Sequence, residues 1–198
     1  MNDTPIRHLS DLPPFVPSAE PISIIDDHGF EMVHVLVRLR DPDVHNGEAL
    51  WATPVSVDDD GCGTYVVRNN ALLAALRFGD VVVAERGSDG HLDVTGIAHL
   101  SKGPLTEVLF PEDEPTDVVE PALEAWSEHG ALYTEQGPGV LLTAWPDSMS
   151  RVEVIEILER TSPPGWSLWD IPTATERAVQ LINDVDFTIG PGMPATAL

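Results

Sequence analysis

From Glu31 to Arg40 the residues alternate, with Val33, Val35, Val37 and Leu39 on one side and His34, Leu36, Arg38 and Arg40 on the other. A period of two sends successive side chains to opposite faces, so this pattern predicts a half-buried strand. Two further strands are predicted over 50–57 and 63–68. They are joined by Asp58-Asp59-Asp60-Gly61, whose Asp-Gly pair suits a hairpin turn. Asn70 stands where an N-cap belongs for a short helix over 71–76 that stops before Gly79. Strands are predicted again over 80–86 and 91–100, parted by Ser88-Asp89-Gly90. This density of strands predicts a small antiparallel β-sheet or barrel, a first module over 23–102.

After Lys102-Gly103-Pro104 the period changes. A strand over 106–110 and an acidic segment over 111–117 lead into a helix over 118–129. In that helix Val119, Ala122, Leu123 and Trp126 recur at helical spacing, and Gly130 stands at the C-cap. Strands over 131–134 and 140–145 flank Gly137-Pro138-Gly139. Ser150 and Glu153 have the spacing of a capping box for a helix through Arg160, with Val152, Ile155 and Leu158 expected inward. A strand over 166–171 precedes a second such box, Thr173 with Glu176, and a last helix to Asn183. The chain therefore reads as α+β, its second module (103–189) having a ferredoxin-like, split βαβ layout with helices on one face of a sheet. Pro5, Pro13, Pro14, Pro17 and Pro21 mark 1–22 as a proline-rich flexible arm, and 190–198 reads as a tail.

Charge sharpens this picture. The 198 residues carry 33 Asp and Glu against 10 Lys and Arg, a formal net of -23, and Lys102 is the only lysine. Such a chain repels nucleic acid and anionic membranes at long range and attracts basic surfaces. No apolar run approaches the ~20 residues that span a bilayer, and no apolar stretch follows Arg7 as a secretory signal requires. A cytoplasmic location is expected. The single cysteine, Cys62, forms no internal disulfide, in keeping with a reducing compartment.

The carboxylates are gathered rather than spread. Asp58-Asp59-Asp60 is one group, and Glu112, Asp113, Glu114, Asp117 and Glu120 form a second. Glu153, Glu156 and Glu159 stand on adjacent turns of one predicted helix, facing away from its apolar stripe. Trp166 and Trp169 fall on opposite faces of one short strand, so both are core only if the last helix covers the second face. Otherwise Trp169 is an exposed aromatic anchor beside carboxylates, the make-up of an interface hot spot.

Catalytic chemistry is not spelled out. The histidines show no HExxH or paired i, i+4 spacing. Asp58-Asp59-Asp60-Gly61 places its glycine fourth, where a calcium loop needs it sixth. Cys62 lies in a Gly-Cys-Gly turn beside three aspartates, whose charge suppresses thiolate. There is no GxSxG and no phosphate-binding glycine loop, so no cofactor, metal or catalytic residue is expected.

Several segments carry a family likeness: Leu50-Trp51-Ala52, Gly63-Thr64-Tyr65-Val66-Val67, Asn69-Asn70, Phe78-Gly79-Asp80-Val81-Val82, Ala84-Glu85 and Asp89-Gly90. Through them residues 31–171 resemble a bacterial domain-of-unknown-function family that pairs a small β module with an α+β module. The likeness implies fold, since these are strand and turn residues, and it implies no catalytic residue.

Together these features point to a non-enzymatic acidic binding protein, an immunity or antitoxin-like inhibitor that occludes a basic protein partner such as a toxin domain. The expected contact residues are Glu112, Asp113, Glu114, Asp117 and Glu120, then Glu153, Glu156 and Glu159, with Trp169. The alternative is a small-ligand enzyme or sensor with a pocket between the two modules, using His34, Arg38 or Arg40.

Overall fold

The computed structural model describes residues 23–25, 31–40 and 47–187, so the arm over 1–22 and the tail over 190–198 lie outside the described residues. Strands β1 (Ser23–Ile25), β2 (Glu31–Val37), β3 (Glu48–Val57), β4 (Gly63–Val67), β5 (Val81–Arg86) and β6 (Leu92–His99) form one sheet in chain order. Neighbours pair antiparallel, and a parallel pairing of Leu36 with Asp93 joins β2 to β6. Five strands thus close into a barrel-like sheet. A meander with an odd number of strands closes only through a parallel pair, because its first and last strands run the same way.

Alternation fills the barrel. Val35, Val37, Leu50, Ala52, Val67, Val82 and Ala84 are fully buried in one core. Leu36, expected on the polar side of its strand, is buried as well, and β2 ends at Val37 rather than at Arg40. Past that point Arg38 and Arg40 leave the ladder. The Arg38 guanidinium pairs with Asp89 and Asp93 at 2.6 and 2.9 Å, and Arg40 Nε donates to the Val185 carbonyl.

No helix forms over 71–76. The backbone N–H groups of Leu72, Leu73 and Ala74 instead donate to the Glu48 carboxylate at 2.6, 2.9 and 3.3 Å, so a side chain from β3 takes the donors that a helix would use. Asn70 is not an N-cap. Its Oδ1 accepts from Phe78 N, while its Nδ2 donates to the carbonyls of Leu142 and Tyr133 in the second module.

The second sheet comprises β7 (Leu105–Leu109), β8 (Tyr133–Gly137), β9 (Val140–Ala144) and β10 (Ser167–Asp170) in the order β10-β7-β9-β8, antiparallel throughout. Helices α1 (Thr116–Glu128) and α2 (Arg151–Thr161) pack with this sheet around Val108, Leu141, Trp126 and Trp145. Both buried indoles keep a partner, Trp126 Nε1 on Thr161 and Trp145 Nε1 on Thr106, each at 3.1 Å. Truncating either to alanine costs about 3–5 kcal/mol by the usual large-to-small cavity penalty. Gly130, at φ +95°, ends α1 in the left-handed conformation that glycine adopts without strain.

Ser150 and Glu153 make the reciprocal capping bonds that their spacing predicted. The buried face of α2 is nevertheless Val154, Ile157 and Leu158, and Val152 is 64% exposed. The i, i+3, i+4 stripe is the one that meets α1, with Thr161 one turn further on receiving Trp126. Helix α3 (Ala174–Asp184), also opened by a capping box, returns to the barrel although it follows the second sheet in sequence. Leu181 and Val185 join the barrel core.

Candidate functional site

Helix α1 buries Val119, Ala122 and Trp126, which fixes its rotation about its own axis. Asp117, Glu120, Glu124 and Glu128 then recur every three or four residues on the opposite side, all exposed. The preceding loop adds exposed Glu112 and Asp113 and the partly buried Glu114. From 112 to 128 there is no lysine or arginine. Among the described residues, none of these seven carboxylates forms a salt bridge. Like charges at i, i+4 each cost a helix roughly 0.2–0.5 kcal/mol, less than burial of Trp126 supplies, so the core holds the ridge in place against its own repulsion. Glu124 and Glu128 extend the expected set, and their spacing from Glu120 is legible in the sequence.

A tryptophan ties this loop to β10. Trp166 packs on Phe110 and edge-on to Trp126, with ring centroids 5.2 and 6.0 Å away, and its Nε1 donates to Glu114 at 3.1 Å. Three residues on, about 10 Å along an extended chain, Trp169 is 71% exposed. The register runs from Leu168 opposite Val108 to Asp170 opposite Glu107, leaving Trp169 as the extra residue of a bulge on an edge strand. Bulges re-aim side chains. This one leaves roughly 2 kcal/mol of aromatic burial unrealised in the isolated chain.

The glutamates of α2 divide. Glu153 accepts from Ser150 N at 2.7 Å, and its bonds to Ser150 hold its carboxyl below the ordinary range. It is part of the cap. Glu156 and Glu159 are exposed on the outer side of α2.

Between the modules lies a cleft of about 160 Å³. The segment 71–75 forms one wall, Gln180 and Asp184 of α3 another, and Leu105, Glu107, Leu142 and Asp170 of the second sheet the base. Alternation explains this base: Val108 and Leu141 face the helices, so Leu105, Glu107 and Leu142 face the other way. Glu107 is half-buried, and burial followed by the charge of Asp170 raises its pKa. This pair was invisible in the sequence, because only strand register brings the two residues opposite each other.

His34, Arg38 and Arg40, expected to furnish a pocket between the modules, do not line this cleft. His34 packs against Trp51 with ring centroids 3.8 Å apart, and burial lowers its pKa. Cys62 accepts a bond from Arg86 N at the tip of the β3–β4 hairpin, where Asp58 caps the backbone of Asp60 and Cys62. Among the described residues no group of three His, Cys, Asp or Glu is placed to hold a metal ion, and no helix is long and apolar enough to cross a membrane.

No family model matches the chain, and no curated protein matches it. The structure is similar to a crystal structure of a hypothetical protein from Neisseria gonorrhoeae, at 20% sequence identity and a TM-score of 0.41, over 64% of this chain and 82% of that one.

Proposed function

We propose that this is a non-enzymatic, cytoplasmic binding protein that holds a basic protein partner against the outer face of α1, as an immunity or antitoxin-like inhibitor does. One observation carries the reading: the stripe Asp117, Glu120, Glu124 and Glu128 continues the acidic loop 112–114 with no cation within the stretch. A partner's Arg and Lys would supply the missing charge, through charge-assisted bonds that occupy the groups the partner needs for its own substrate. Trp169 offers an aromatic anchor, and Glu156 and Glu159 extend the acidic surface along α2. The strand order β10-β7-β9-β8 with its two intervening helices supports a ferredoxin-like second module. The pairing of a barrel with such a module supports membership of the bacterial family that residues 31–171 resemble.

The test is capture from extracts of the native cell at low salt, comparing wild type with the Asp117→Lys, Glu120→Lys, Glu124→Lys variant. A basic protein held by wild type, released by salt and lost at least about tenfold in the variant supports the reading. Capture of no basic protein, or equal capture by the variant, overturns it.

A further inference from the structure

We propose that the cleft between the second sheet and α3 binds an organic cation, an ammonium or guanidinium group carried on a short aliphatic stem. Leu72, Leu105, Leu142 and Pro172 are among the residues that line it, and of its four polar side chains three, Glu107, Asp170 and Asp184, are acidic and the fourth is Gln180. Glu107 and Asp170 sit directly opposite each other on antiparallel strands. That register places their Cβ atoms roughly 5 Å apart, where like charges repel.

Asp170 accepts from the Ile171 N–H at 2.7 Å, and no arginine or lysine lines the cleft to pair with it or with Glu107. Asp184 stands at the end of α3, whose C-terminal carbonyls are met by Arg40, through its N–H on Asp184 and its Nε on Val185, so the negative potential of the cleft comes from its carboxylates. A cleft of this size, with facing carboxylates beside leucine side chains, lacks one component, a positive charge on a short hydrocarbon body. The ammonium would bridge the two carboxylates and turn their repulsion into charge-assisted bonds, while the stem covers the leucines. A bare metal ion fits less well, since no three acidic, histidine or cysteine groups among the described residues are placed to ligate one.

The cleft is independent of the acidic face of α1, and the experiment keeps the two apart. Calorimetric titration of the full chain with n-butylammonium is expected to show one site per chain, whereas 1-pentanol, of similar size and neutral, gives no binding. Glu107→Gln and Asp170→Asn each weaken the amine by about tenfold or more, the usual size of a lost charge-assisted bond, and Glu120→Lys on α1 leaves it unchanged. Glu107→Gln relieves repulsion, so a thermal melt no lower than wild type shows that its loss of binding is not loss of fold. Nα-acetyl-lysinamide identifies the source of the cation. Tighter binding than n-butylammonium assigns the site to a protein side chain, and weaker binding assigns it to a free amine. Equal binding of pentanol and amine, undiminished binding by Glu107→Gln, or no amine binding at all overturns the proposal.

Discussion

Arg177 of α3 donates to both carboxylate oxygens of Asp80, at 2.6 and 3.4 Å, and neither side chain has any exposed surface. Asp80 also accepts from the backbone N–H groups of Arg77 and Ser101, and Arg177 reaches the carbonyls of Ala75 and Ser101. This cluster pins α3, the loop before β5 and the exit of β6 at one point.

Removing one partner strands a buried charge. Asp80→Ala is expected to destabilise the fold by about 3–5 kcal/mol, measured by urea unfolding. Arg177 Nε has no partner, so the pair is incompletely satisfied. Replacing both residues by apolar ones of similar volume therefore costs less than the sum of the single changes. A double-mutant cycle with no coupling would refute this account.

Glu48→Ala leaves the N–H groups of Leu72, Leu73 and Ala74 without their acceptor. The expected loss is about 3 kcal/mol, at the usual cost of buried unsatisfied donors. Glu48→Gln costs less, because the amide oxygen still accepts. Hydrogen exchange at these three amides, slow in the wild type and fast in the alanine variant, locates the effect.

Burial is the largest influence raising the carboxyls of Glu48 and Glu107 above the ordinary glutamate range. An acid raised on folding stabilises most when protonated, so its contribution is complete below the unfolded pKa and disappears as pH rises through the folded one. Asp89, Asp147, Glu153 and Glu176 are lowered, and what they contribute is lost at more acid pH. Stability is thus expected to rise as pH falls from neutrality towards the ordinary carboxylate range, then to decline below it. Glu107→Gln raises the melting temperature at neutral pH and leaves it unchanged once Glu107 is protonated. A neutral-pH melt below wild type would contradict this.

Tyr133, half-buried and donating to Glu135 at 3.1 Å, is pushed up to about 12 by burial and by that carboxylate, and burial raises Tyr65 as well. Spectrophotometric titration is expected to show neither of the chain's two tyrosines ionising at the ordinary value near 10 while the fold persists. Glu135→Gln should bring Tyr133 down. A full phenolate signal at pH 10 in the folded protein would contradict the buried placement.

Local periodicity carried most of the strands and helices, because alternation, the Asp-Gly turn and the two capping boxes are local rules. It failed where a distant side chain competed with the backbone. The 71–76 segment has helical composition, yet Glu48 takes its N–H groups and Asn70 turns to the second module. The phase of α2 was ambiguous because Val152, Val154, Ile155, Ile157 and Leu158 offer two apolar stripes, and only Trp126 on α1 selects between them. In the site, the acidic ridge could be read from spacing, whereas the cleft could not. Glu107, Asp170 and Asp184 are far apart in sequence and meet only through register and the return of α3.

The strand-like pairing of Leu39 with Val185, flanked by Arg40 N on the Asp184 carbonyl and Asp186 N on the Arg38 carbonyl, bears on how the protein is made. During synthesis the barrel strands leave the ribosome long before residues 181–186 exist, so the barrel core lacks Leu181 and Val185 until the second module has been translated. A gene fragment ending near residue 102 would then leave bare the apolar surface that Leu181 and Val185 cover, and would stick to its own copies more readily than the full chain does.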